Sequence, residues 1–139
     1  MNLRDILQSK GHVVYTVSPR ASLADAVQVM VEHNCGSLVV CDGDPMVGIL
    51  SERDILRSLS ERPLEAVAVE ERMTRNVITA QPDDDLGKVM GIMTQHRIRH
   101  LPVTDHGRVV GLVSIGDVVK AQFEQLAVEN HFLKSYIQS

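Results

Sequence analysis

The chain has no tryptophan, and its only aromatic residues are two tyrosines and two phenylalanines among 139 residues. A general nucleic-acid binder relies on stacking rings and surplus Lys and Arg, whereas this chain carries a net charge of -4. Its two cysteines, Cys35 and Cys41, match neither a thiol-pair motif nor a zinc ligand set, so they read as free thiols in a reducing cytosol. No apolar run approaches the roughly 20 residues of a membrane span. Met1 to Gly11 alternates charge with Leu3, Ile6 and Leu7, and it lacks the apolar core and cleavage pattern of a signal peptide. These absences lead us to expect a soluble, cytoplasmic protein with no nucleic-acid or membrane partner. At 44% hydrophobic, it can bury one core, or two small ones, without disulfide or metal.

What is present is a repeat. At an offset of 63, Thr16 falls on Thr79, Pro19 on Pro82, Leu23 on Leu86, Met30 on Met93 and His33 on His96. The register holds through Leu38 and Leu101, Val40 and Val103, Asp42 and Asp105, Gly48 and Gly111, Ser51 and Ser114, and Asp54 and Asp117. A gapless match across helices, strands and turns marks a duplicated unit. The copies differ in charge: six basic and ten acidic residues precede the split after Glu70, and eight of each follow it. An anion-attracting surface is therefore expected in the second half.

Within each copy the local signals agree on β-α-β-β-α, an α/β (α+β) fold. Val13 to Thr16 is short, β-branched and closed by Pro19. Ser22 can cap a helix whose apolar face is Leu23, Ala26, Val27 and Met30, ending near Asn34. Ser37 to Cys41 and Met46 to Leu50 flank Asp42-Gly43-Asp44-Pro45, a hairpin signal, and Ser51 to Leu59 returns to helix. The second copy repeats this with Val77 to Thr79, a helix from Asp85 to His96, a turn at Asp105-His106-Gly107-Arg108 and a helix from Ser114. The expected domains are a first module over 1–62, a linker over 63–72, a second module over 73–122 and a helical extension over 123–139. The stretch from Ser60 to Met73 should hold a helical turn. Each unit is too small to stand alone, so the two should pack through their sheets with pseudo-twofold symmetry. Past Val118 the last helix keeps an apolar stripe through Phe123, Leu126, Phe132, Leu133, Tyr136 and Ile137, which suits contact with a partner subunit better than a lid on its own core.

Each hairpin ends in Gly-x-x-Ser-x-x-Asp: Gly48, Ser51 and Asp54, then Gly111, Ser114 and Asp117. Such a junction can simply be a helix cap. It also suits a nucleotide, because free N–H groups and a hydroxyl at a helix start favour phosphate, while a carboxylate can accept from a ribose diol. Recurrence at the edge of a pseudo-twofold cleft favours ligand binding. In the second copy His96, Arg97, Arg99 and His100 run into Leu101-Pro102-Val103, and crowded cations call for solvent or an anion. The first copy has uncharged Gly36 and Ser37 at the positions of Arg99 and His100, so the two clefts are chemically unequal. A metal-enzyme reading would use His96, His100, His106 and Asp105, but no Glu or Cys completes a set at ligand spacing.

Pro19 and Pro82 after Thr-ended strands, Arg99-His100-Leu101-Pro102-Val103, and the hairpin ends Gly48-Ile49-Leu50-Ser51-Glu52-Arg53-Asp54 and Gly111-Leu112-Val113-Ser114-Ile115-Gly116-Asp117 together resemble the CBS domain pair, or Bateman module. The resemblance covers nearly everything from Leu3 to Ala121. It implies two symmetry-related clefts that take AMP, ADP, ATP, NAD(H) or S-adenosylmethionine, no obligatory cofactor and no catalysis. By position it implies that Asp54 and Asp117 hold ribose hydroxyls, Ser51 and Ser114 contact phosphate, and Thr16 and Thr79 line the adenine pocket. Arg99 and His100 would face phosphate, and Arg53 would assist in the first cleft. Val14, Leu38, Val77 and Leu101 would sandwich the base, with Pro102 beside them. The resemblance also implies a homodimer, through the module helices and the C-terminal helix, that regulates a separate protein. The competing reading is a dimerisation scaffold with both clefts empty.

Overall fold

The structure, a computed structural model, describes residues 1–138. Spatial grouping departs from chain order: one compact unit is Val13–Ile78, and the other joins Met1–His12 to the chain from Thr79 onward. We call these the first and second modules.

In the first module, β1 (Thr16–Val17), α2 (Leu23–His33), β2 (Ser37–Cys41), β3 (Met46–Ser51) and α3 (Glu52–Ser58) follow one another, after α1 (Leu3–Lys10), which belongs to the second. The sheet order is β1-β2-β3, with β1 parallel and β3 antiparallel to β2. Ser22 caps α2 in a reciprocal box with Asp25, and Asn34 ends it in the left-handed conformation, φ 50°. Leu23, Ala26 and Met30 pack against Leu38, Val40 and Leu50 to form the core. The link to the second module completes that core: a 3-10 turn (Leu64–Ala66) and α4 (Val69–Arg72) insert Val67, Val69 and Met73. Glu71 accepts the Ala68 N–H at 2.7 Å to start α4.

In the second module, α5 (Leu86–His96), β4 (His100–Asp105), β5 (Arg108–Ser114) and α6 (Ile115–Gln138) complete the element order, and α1 covers the antiparallel β4-β5 pair. Leu7 of α1 lies against the Gly111 backbone, where a Cβ would sit 2.5 Å from a Leu7 methyl. In the first module Met73 occupies the same place over Gly48. His106 (φ 52°) and Gly107 (φ 78°) form the tight β4-β5 turn with consecutive positive φ values.

Two expected strands are corrected. The first is Thr16–Val17 rather than Val13–Thr16, because the parallel pairing runs from Thr16 to Val39 and Val17 to Val40 while Val13 is exposed. The expected strand Val77–Thr79 is replaced by one bridge, Ala80 to Val103. The reason is Pro102. In the first module the Val39 N–H donates to the Tyr15 carbonyl, and Pro102, at the equivalent position, has no N–H to give. The ladder therefore shrinks to Ala80, whose N–H donates to the Pro102 carbonyl and whose carbonyl accepts from Thr104.

Candidate functional site

The two hairpins end in the same local structure. In the first module Ser51 is the last residue of β3 and the N-cap of α3: its N–H donates to Asp54 Oδ2 at 2.9 Å and its hydroxyl to the same oxygen at 3.1 Å. The Asp54 N–H donates back to Ser51 Oγ at 3.4 Å. In the second module the Ser114 N–H donates to Asp117 Oδ2 at 2.8 Å, and the Asp117 N–H to Ser114 Oγ at 3.1 Å. Both caps run through Oδ2 of the carboxylate, and Oδ1 takes no part in them. Each side chain therefore closes its cap with one carboxylate oxygen.

The surroundings differ. Lys10, in the last turn of α1, places Nζ 2.6 Å from Asp117 Oδ2 and 2.9 Å from the Leu112 carbonyl. Burial raises the Asp117 carboxyl, but the Lys10 ammonium and the Ser114 N–H outweigh it and hold the group below the ordinary carboxylate range. Asp117 is therefore ionised at neutral pH. Asp54 has no ion pair among the described residues. Sequence reasoning missed Lys10, which lies in the segment read as the first module. A signal does exist: Leu3 and Leu7 fall on Val69 and Met73 at an offset of 66, so α1 corresponds to the linker that completes the first core.

Backbone pairing gathers the other second-module residues at this junction. His100 pairs with Ser114 at the start of β4, and the Ile115 N–H donates to the Arg99 carbonyl at 2.7 Å. Arg99 is exposed and His100 half-buried. Pro102, paired with Leu112, and Leu101, paired with Val113, are buried, so Leu101 is a core residue that holds its neighbours in register. Thr79 is exposed one residue before the Ala80 bridge, whereas Val77, half-buried, belongs to the first module.

In the first module Ser37 pairs with Ser51, and the Glu52 N–H donates to the Gly36 carbonyl at 3.0 Å. Ser37 is buried, and its Oγ has no hydrogen-bond partner. Thr16 and Arg53 are exposed, Val14 is half-buried, and Leu38 is wholly buried in the core. Tyr15, next to Thr16, stacks on His33 with ring centres 3.8 Å apart. This side is aromatic where the second module is cationic.

Other chemistry has little footing. Burial pushes both the Cys35 and Cys41 thiols up, the opposite of an activated nucleophile. Among the described residues no group of three or more His, Cys, Asp or Glu side chains could hold a metal ion, and no helix is long and apolar enough to cross a membrane.

The model of the CBS domain family matches residues 3–61 and 68–124. The mitochondrial CBS domain-containing protein CBSX3 of Arabidopsis thaliana is 35% identical, over 98% of this chain and 71% of its own. Among solved structures, the CBS domain protein NE2398 superposes with a TM-score of 0.86 at 40% identity, covering 88% of this chain and 98% of its own. The CBS domain pair of MJ0100, solved in complex with 5'-methylthioadenosine and S-adenosyl-L-methionine, gives 0.80 at 31% identity, covering 90% and 98%.

Proposed function

The chain belongs to the CBS domain family as a tandem pair, and from that premise we propose that it is a non-catalytic sensor of an adenine nucleotide, AMP, ADP, ATP or NAD(H). The observation that carries this reading is the Ser-x-x-Asp cap built twice, each time through one carboxylate oxygen, Oδ2, with Oδ1 outside the cap. Asp54 and Asp117 accept from ribose hydroxyls through that oxygen, and Ser51 and Ser114 stand beside the phosphate. Thr16 lines the base in the first module, where Arg53 assists, and Thr79 lines it in the second, where Pro102 lies against it. Arg99 and His100, at the end of β4 nearest Ser114, make the second module the tighter site for the anionic part of the ligand. A solved CBS pair with adenosine-containing ligands supports the chemistry.

Signalling follows from differential affinity: the nucleotide favours one state of the protein, and a separate regulated partner binds that state better. The protein acts in the cytoplasm as a homodimer, through the helices of its modules and its C-terminal helix.

A thermal-shift series with AMP, ADP, ATP, NAD, NADH and S-adenosylmethionine tests the reading. A ligand at a hundred times its dissociation constant adds about 2.7 kcal/mol, or several degrees in a domain of this size. We expect one adenine ligand to give such a shift, and Asp117→Ala to lose it relative to the variant's own unliganded transition. If no ligand moves the transition once carried-over nucleotide is excluded, the sensor reading fails and a dimerisation scaffold replaces it.

A further inference from the structure

The family match ends at residue 124, but α6 continues to Gln138. At its start Val118 and Ala121 face the module and are buried. A different flank carries Val119, Phe123, Leu126, Asn130, Leu133 and Ile137, with alternating spacings of four and three. All six are exposed, the apolar ones between 50% and 80%. This is a heptad seam: Val119, Leu126 and Leu133 take the d positions, and Phe123, Asn130 and Ile137 the a positions.

We propose that this seam zips against the same seam of a second copy, in parallel and in register, as a two-stranded coiled coil. The inference deepens the homodimer reading and rests on it. Two observations select the occupant and its direction. Glu129 and Lys134 flank the seam at g and e, and in a parallel pair each Glu129 faces Lys134 of the second copy, five residues on, twice by symmetry. An antiparallel pair would set g against g and e against e, which brings no opposite charges together here. Within its own helix Glu129 accepts only a long 3.5 Å bond from Gln125, which leaves it able to turn across the seam. Asn130 sits at an a position. In a parallel dimer it meets its own copy, so the two amides can bond, whereas in an antiparallel one it would be buried against Leu126 or Leu133 with no partner. Asn at a single a position also disfavours trimers and out-of-register pairs.

The seam from Val119 to Ile137 is about 27 Å long at 1.5 Å per residue, too short to hold a dimer unaided, so it sets direction and register for a pair also joined through the modules. The test combines sedimentation equilibrium of the full chain with air oxidation of Leu133→Cys in a Cys35→Ala/Cys41→Ala background, using Glu124→Cys on the outer face as control. We expect a dimer that Leu133→Cys cross-links almost completely and Glu124→Cys barely does. A dimer without that cross-link, or one linked equally by both, overturns the parallel seam and leaves the homodimer reading standing. A monomer overturns both, and a trimer overturns the two-stranded seam. If the cysteine-free background does not fold, charge reversal decides: Glu129→Lys should weaken dimerisation about fivefold, and adding Lys134→Glu should restore it. A reversal without effect overturns the proposal.

Discussion

Asp54 and Asp117 occupy equivalent positions, close the same helix cap and keep the same oxygen out of it, yet their electrostatic settings differ. Asp117 lies against Lys10, beside a strand that enters through Arg99 and His100, whereas the residues equivalent to that pair are Gly36 and Ser37. The duplication preserved what the backbone needs and let the charges diverge. Cap, hairpin and core are constrained in both copies because each closes a small hydrophobic unit. Arg99 and His100, whose equivalents are Gly36 and Ser37, belong to the part that diverged.

Substitutions at equivalent positions should separate what the two modules share from what they do not. The largest effect is expected at Gly48: a Cβ there meets Met73 at 2.6 Å and the Thr74 carbonyl at 2.9 Å, and that carbonyl is fixed by its bond to the Ile49 N–H. Gly48→Ala should cost about 2 kcal/mol in a denaturant melt, and Gly111→Ala, which meets only the end of the Leu7 side chain, about 1 kcal/mol. Equal costs would mean that α1 is as unyielding as the linker backbone.

Next is Lys10→Met. Lys10 helps hold the Asp117 carboxyl down, so the pair's contribution is full above the ordinary carboxylate range and is lost as pH falls through the lowered value. The variant should be less stable by about 1 kcal/mol at pH 7, since both side chains are partly exposed, and the difference should shrink as pH falls below the ordinary carboxylate range. A difference independent of pH would assign the loss to packing instead.

Arg97 ends α5 in the left-handed conformation at φ 53°, where the first module has Asn34. Arg97→Asn should stabilise the protein by about 0.5 kcal/mol, and a loss of stability would show that the guanidinium has a structural partner. The smallest effect is expected at Ser58, which is buried with its hydroxyl bonded to the Asp54 carbonyl at 2.9 Å. The equivalent residue is Ala121, so Ser58→Ala should change stability by under about 0.5 kcal/mol.

Most of the helices and both hairpins were legible in the sequence, because apolar spacing, capping residues and turn residues agreed at each. Ser22, Ser51, Asp85 and Ser114 all begin helices as their residue types imply. Three features were not legible. The parallel pairing at Thr16 and Ala80 depends on which N–H groups a distant strand offers, and Pro102 removes one. The destination of α1 is tertiary, and its one sequence signal, the match of Leu3 and Leu7 to Val69 and Met73, lies at an offset of 66, outside the main register of 63. Lys10 was missed for the same reason, since its significance arises only once α1 reaches Asp117.

The central claim is that the second junction is the principal nucleotide site. Calorimetric titration of AMP, ADP and ATP in turn into Asp54→Ala and Asp117→Ala, both shown to be folded, tests it most directly. The tightest site should survive in Asp54→Ala and be lost in Asp117→Ala. Retention of that site in Asp117→Ala, with its loss in Asp54→Ala, would contradict it.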